Sequence, residues 1–181
     1  MTNKKSFDTR KLVLLALLTA IVVVLQLLGS FIRIGPASVS LVLVPIVIGA
    51  ALISIPSGAW LGLVFGFVVL ITDGLYFLGI HPIGTIVTIL IRGMLAGLFA
   101  GIIYHLISKK NKTIAIVCAA VICPMVNTGI FLLGLYLFFQ AYFLILSPAA
   151  FINFPAELIL NLVLVPTIVR LVQYGQNRNN N

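Results

Sequence analysis

Acid is nearly missing from this chain. Among 181 residues only three are Asp or Glu, against eleven Lys or Arg, and 8% are charged. A soluble domain carries roughly three times that charged fraction, so an extended solvated surface is excluded. Cysteine is scarce too. Cys118 and Cys123 lie five residues apart in one apolar stretch; on a helix they do not share a face and read as small core residues, not as a disulfide or metal pair. Several chemistries lack their parts altogether. There is no Gly-Lys-Ser/Thr phosphate loop, no His-Glu-x-x-His, no Gly-x-Ser-x-Gly and no paired aspartates. ATP hydrolysis by that route, zinc proteolysis and serine hydrolysis are thereby set aside, and no cofactor motif stands in their place. No inverted repeat of the secondary-transporter kind is evident.

What is present is hydrocarbon. The chain is 62% hydrophobic, with a mean hydropathy of +1.27. About 20 apolar residues cross a bilayer core. The sequence predicts an all-α membrane protein, a single integral membrane domain over 1–181, with six transmembrane helices near 11–29, 39–55, 58–78, 83–107, 113–138 and 151–174. The first run is too long for a signal-peptide core and has no small-residue cleavage site, so it is expected to be the first span. The breaks carry turn chemistry: Gly35-Pro36, Pro56-Ser57-Gly58, Asp73-Gly74, His81-Pro82, Lys109–Lys112 and Ser147-Pro148. Residues 139–152 stay open between a short interfacial helix, a lid and an early part of the last span. Pro45, Pro124 and Pro166 fall inside spans and are expected to kink them.

The net charge of +8 invites a nucleic-acid reading, but its placement opposes one. Lys4, Lys5, Arg10 and Lys11 precede the first span, Lys109, Lys110 and Lys112 share one loop, and Arg170 and Arg178 close the chain. With both termini cytoplasmic, all three clusters fall inside, as the positive-inside rule asks. Arg33, Asp73 and His81 then fall in outer loops. Gly58, Gly62, Gly66 and Gly93, Gly97, Gly101 are small ridges that let helix backbones meet in lipid. They point to packing between spans three and four, with contact between copies as the alternative.

One acid stands within the last apolar stretch. Asn153, Glu157 and Asn161 are spaced by four and share a helix face. An ionisable side chain at membrane depth is a functional candidate by default. Arg92 is roughly 13 Å into span four at 1.5 Å per residue, Asn127 follows Pro124 in span five, and Gln26 is near the outer end of span one. These polar groups gather in one layer and suggest a pocket open to the exterior. Plainer readings exist: Asn153 as a helix cap, Glu157 as an ion-pair partner of Arg92, Asn127 as an interhelical hydrogen bond, His81 as a loop residue, and Tyr76, Tyr142 and Trp60 as interfacial anchors.

On these residues the chain resembles the substrate-binding S components of energy-coupling factor (ECF) vitamin transporters. The carriers are Arg10-Lys11 followed by LVLLALLTA with Ala16-x-x-x-Ala20, the block Val39–Val69, and the polar layer of the last three spans. The resemblance implies an ECF S-component-like bundle in a bacterial cell membrane, multi-pass and without an ATPase site. It implies a transmembrane coupling subunit (EcfT) contacted through Ala16 and Ala20, two ATP-binding subunits (EcfA, EcfA′), and a vitamin taken from outside. The outer loops would gate the pocket, bringing Arg33, Tyr76 and His81 to the ligand beside Arg92, Asn127, Asn153, Glu157 and Asn161.

Pantothenate is the expected vitamin, its carboxylate clamped by Arg92 and Arg33, and the chain looks somewhat like the pantothenate subgroup. Glu157 would repel that carboxylate unless neutralised. Hydroxymethylpyrimidine or pyridoxine would instead engage Glu157 through a ring nitrogen or amine. Riboflavin asks for more aromatic stacking than the sequence places in this layer. Two other classes compete: a membrane enzyme acting on a lipid, which lacks paired acids or a metal cluster, and a structural homo-oligomer built on the glycine ridges.

Overall fold

The computed structural model describes residues 9–29, 33–34, 37–38 and 41–178, with side chains over 9–29 and 41–172. In chain order the elements are α1 (Thr9–Gly29), β1 (Arg33–Ile34), β2 (Ala37–Ser38), α2 (Leu43–Leu52), α3 (Ile55–Thr72), α4 (Leu75–Leu78), α5 (Pro82–Ile107), α6 (Lys112–Phe138) and α7 (Gln140–Arg178). The strands form a minimal antiparallel pair, Arg33 opposite Ser38.

Local chemistry sets the helix starts. Ser54 caps α3, its hydroxyl accepting from the Ser57 N–H at 3.3 Å, with a proline in the first turn where no donor is required. Asn111 caps α6, its Oδ1 accepting from Thr113 N at 2.9 Å and Ile114 N at 3.2 Å. His81 does the same for α5 through Nδ1, which accepts from Gly84 N at 2.9 Å.

Among the described residues five helices, α1, α3, α5, α6 and α7, are long and apolar enough to cross a membrane. The expected second span is different. Residues 39–55 yield a helix of only ten residues, about 15 Å long at 1.5 Å per residue, half of a bilayer core of about 30 Å. It is buried among its neighbours from Leu43 to Ala51. The last helix differs in the other direction. Residues 140–152 are neither a lid nor a separate interfacial helix but the first turns of α7, which runs 39 residues through Pro148, Pro155 and Pro166. The helix α6 likewise continues through Pro124. Pro45 sits in the first turn of α2, where its missing N–H costs nothing.

The glycine ridges join α3 to α5. A side chain added at Gly62 would strike the carbonyl of Gly93, one at Gly58 the carbonyl of Gly97 at 2.6 Å, and one at Gly66 the carbonyl of Ile89 at 2.8 Å. Backbone therefore lies on backbone, and the ridges are used inside the bundle. The pairing also fixes direction: 58 with 97 and 66 with 89 make α3 and α5 antiparallel. Gly134 on α6 lies against Thr88 on α5, which makes α6 antiparallel to α5 in turn. Gln26 near the end of α1 reaches Asp73 at the end of α3. The starts of α1, α3 and α6 and the ends of α2 and α5 consequently share one end of the bundle. Arg10, Lys11, Lys109, Lys110, Lys112 and Arg170 lie at that end. Asp73 and His81 lie at the other.

The core follows from the same pairing. Phe65, Leu61, Ile46, Val47, Val22, Val165 and Val169 are among its buried members. Every fourth residue of α7 from Ala149 to Val169 faces inward at 8% exposure or less, namely Ala149, Asn153, Glu157, Asn161, Val165 and Val169.

Candidate functional site

A cavity of about 560 Å³ lies toward the end of the bundle that carries Asp73 and His81. Ligand pockets of folded proteins span about 300–1,000 Å³. Helices α3, α4, α5, α6 and α7 build its walls, and α1 contributes Gln26.

The α5 wall presents Thr85, Thr88, Ile89 and Arg92, a series spaced for one helix face. Arg92 is half-buried, and its Nε is shut away with no hydrogen-bond partner among the described residues. Its guanidinium sits over the ring of Phe65 at 5.7 Å and of Phe131 at 5.0 Å. Both distances suit a cation on an aromatic face. Glu157 and Asp73 both lie within electrostatic reach of that guanidinium. The cation thus packs against two rings, with two acids within electrostatic reach.

On α6, Asn127 is buried, and its Oδ1 has no partner among the described residues; the same is true of Thr88 Oγ1 across the cavity. A buried acceptor without a donor costs about 1–3 kcal/mol. A ligand donor would recover that cost. On α7, Asn153 and Glu157 are each 5% exposed and line the cavity one turn apart. Asn153 lies mid-helix, so it is not the cap that its neighbourhood suggests. At the rim, Gln26 Nε2 donates to Asp73 Oδ2 at 3.3 Å, and Tyr76, 67% exposed, lines the opening.

Two expected contacts, Asn161 and His81, are not brought to the cavity wall. Asn161 is completely buried one turn below Glu157, and its Nδ2 donates to the Glu157 carbonyl at 2.9 Å. His81 is spent on capping α5 and rests against Phe138 and Phe139, with ring centroids 5.3 and 6.2 Å away. The Arg33 side chain lies outside the described residues.

The structure adds residues that the sequence reading does not place. Asp73, expected in an outer loop, is the C-cap of α3 and lines the cavity. Thr85 and Thr88 join it. Aromatic rings are abundant rather than scarce: Phe65, Tyr76, Phe77, Phe131, Phe139 and Tyr142 all line the wall. Phe77 meets Tyr76 and Phe139 edge to face at 5.5 Å each. The sequence objection to an aromatic ligand therefore falls. The threonines had a signal, the spacing Thr85-x-x-Thr88-x-x-x-Arg92. The phenylalanines had none, since an apolar ring toward lipid and one toward a pocket read alike.

Ala16 and Ala20 lie on the opposite, uncovered face of α1, beside Val13, Leu17 and Val24 at 63%, 58% and 53% exposure. Trp60 is 51% exposed, away from the cavity. No group of His, Cys, Asp and Glu among the described residues could hold a metal ion.

Against known proteins, the family model described as "ECF transporter, substrate-specific component" matches residues 10–169. No curated protein and no solved structure matches the chain.

Proposed function

We propose a function from one premise: this chain belongs to the family of ECF transporter substrate-specific components. Members of that family are multi-pass, substrate-binding transport subunits that work with a coupling subunit and ATPases. Our reading is that this chain, as a single membrane domain in a bacterial cell membrane, captures a small water-soluble vitamin from outside. It then hands the vitamin to an ATPase-driven module. The observation that carries the reading is the convergence of Arg92, Asn127, Asn153 and Glu157 from three helices on one cavity of about 560 Å³.

Orientation follows from charge. The bundle end bearing Arg10, Lys11, Lys109, Lys110, Lys112 and Arg170 is cytoplasmic by the positive-inside rule, which turns the cavity outward. The chain leaves α1 at the outer end and is back at the cytoplasmic end by the close of α2, so both termini remain inside although α2 itself is only half a span long. Ala16 and Ala20 offer a shallow stripe on an uncovered helix face. Small residues at that spacing allow close helix–helix approach in lipid, which supports α1 as the contact to the coupling subunit.

Two ligand readings stand on different residues. Pantothenate is favoured by Arg92, the one cation in the wall among the described residues, as a seat for its carboxylate, with Asn127 and Asn153 for amide and hydroxyls. A nitrogen-bearing ring, as in hydroxymethylpyrimidine or pyridoxine, is favoured by Asp73 and by the aromatic lining, and the lining also admits riboflavin.

The test is purification from native membranes in mild detergent, with mass spectrometry of the bound small molecule and of copurifying proteins. The reading expects a vitamin together with two ATPases and a coupling protein. A copurifying lipid product, or self-association with neither ligand nor ATPases, would overturn it.

A further inference from the structure

His81 does not line the cavity, yet three residues that do are tied to it. Its N–H donates to the Phe77 carbonyl at 3.0 Å. Its carbonyl accepts from the Thr85 N–H at 3.0 Å and from Thr85 Oγ1 at 2.9 Å. Its ring lies beside Phe139 at 6.2 Å between centroids, and closer to Phe138 at 5.3 Å. Phe77, Thr85 and Phe139 belong to α4, to α5 and to the C-cap of α6. One residue therefore joins three elements of the outer wall.

A fourth tie depends on protonation. His81 Nδ1 accepts from the Gly84 N–H at 2.9 Å, and an imidazole nitrogen accepts only while it carries no proton. Imidazole changes charge between about pH 5 and 8. Once Nδ1 is protonated, two N–H groups face each other and the cap is lost. The positive end of α5 opposes the new cation as well. Phe138 still attracts an imidazolium, so the ring turns in place, but it no longer accepts. The cap thus stands while the ring is neutral and fails as pH falls. His81 is exposed, so protons reach it, whereas Gly84 and Thr85 behind it are buried. The joint is also close-packed: a side chain added at Gly84 would meet Phe138 at 2.6 Å and His81 Nδ1 at 2.8 Å. A turned ring therefore pushes on its neighbours.

We propose that His81 is a positioning residue for the outer wall of the cavity, and that its protonation loosens that wall and weakens ligand binding. The ligand half of this rests on the vitamin-capture reading. Around the ring stand Phe138 and Phe139 from α6, the Phe77 carbonyl from α4, and Gly84 and Thr85 from α5. None of these titrates. Asp73, Tyr76, Tyr136 and Tyr142 are the described titratable groups of this end of the bundle, and the Arg33 side chain lies outside the described residues. Whatever pH dependence they or the ligand bring is cancelled by comparing two proteins that differ only at position 81.

The experiment compares the full chain with His81→Asn, both in lipid nanodiscs. Asparagine accepts as a helix cap and does not titrate. Hydrogen exchange at the amides of Gly84 and Thr85 needs no ligand and is read at about pH 8 and about pH 5. The two proteins should match at the higher pH, and at the lower the wild type should exchange about fivefold faster. Binding is read with pantothenate, pyridoxine, hydroxymethylpyrimidine and riboflavin as probes. The probe that the wild type binds tightest at the higher pH should lose about fivefold more affinity on acidification than it does with His81→Asn. His81→Ala is the second variant: at the higher pH it should already show the fast exchange of the acidified wild type. Equal exchange of wild type and His81→Asn at the lower pH overturns the proposal. So does an equal loss of affinity, or slow exchange in His81→Ala. Binding of none of the four probes overturns the capture reading of those vitamins, while the exchange comparison still decides the role of His81.

Discussion

Gln26 of α1 donates to Asp73 at the C-cap of α3 across 3.3 Å. This bond ties the rim of the cavity to a helix that otherwise rests mainly on α3 and α2. Gln26 is 2% exposed, so a replacement cannot turn to water. Gln26→Leu should cost about 1 kcal/mol, the toll of leaving a part-buried acceptor short of one donor. Thermal unfolding in detergent should show the loss, and hydrogen exchange should rise first at the ends of α1 and α3. Unchanged exchange there would remove the bond as a tie.

Backbone contact between α3 and α5 makes the glycine ridge intolerant of even one methyl. A side chain at Gly62 meets the Gly93 carbonyl, which cannot rotate aside. Gly62→Ala and Gly93→Ala should each destabilise by about 1–3 kcal/mol through overpacking. Gly129→Ala is the control, since a side chain there meets nothing within 4 Å. Equal melting temperatures for Gly62→Ala and Gly129→Ala would contradict the close approach.

Glu157 and Asp73 lie within electrostatic reach of Arg92, and its guanidinium packs on two rings. Arg92→Ala should cost about 1–2 kcal/mol through the lost ring contacts and the lost cation near two acids. Arg92→Lys should restore part of that but not the flat contact with Phe65 and Phe131. Adding Glu157→Gln to Arg92→Ala should recover stability. A strictly additive double-mutant cycle would deny the coupling.

Ala16→Trp probes the uncovered face of α1. Ala16 and Ala20 are exposed among the described residues, so ligand affinity should hold within about twofold while copurification with the ATPases collapses. Assembly at wild-type levels would sink the α1 contact.

Orientation has a direct readout. Lys110, in the α5–α6 turn, should resist a membrane-impermeant amine reagent in intact cells and react after permeabilisation. Labelling from outside would invert the topology and close the cavity to the exterior.

Polar spacing carried much of this site in the sequence. Asn153, Glu157 and Asn161 at intervals of four mark one face of one helix, and that face is the inner one. Arg92 and Asn127 were legible because polar groups in an apolar run need a reason. Asp73 was not, since Asp-Gly between apolar runs reads as a turn. The aromatic wall was silent because hydropathy does not say which way a ring points. Helix lengths failed for a related reason. The run through Leu43–Leu52 is apolar because it is enclosed by protein, which mimics lipid in any hydropathy count. Ser147-Pro148 reads as a break, yet neighbouring helices allow α7 to continue through its prolines.

The brevity of α2 bears on biogenesis. Ten residues do not bridge a bilayer, so the insertion machinery has no stable resting state for this piece alone. It must enter with α3 as a hairpin, turning at Ile53–Ser54, and find its place only once α5, α6 and α7 have closed around it. The half of the bundle that holds α2, the one away from the cavity, is therefore expected to mature last, once α7 has been made.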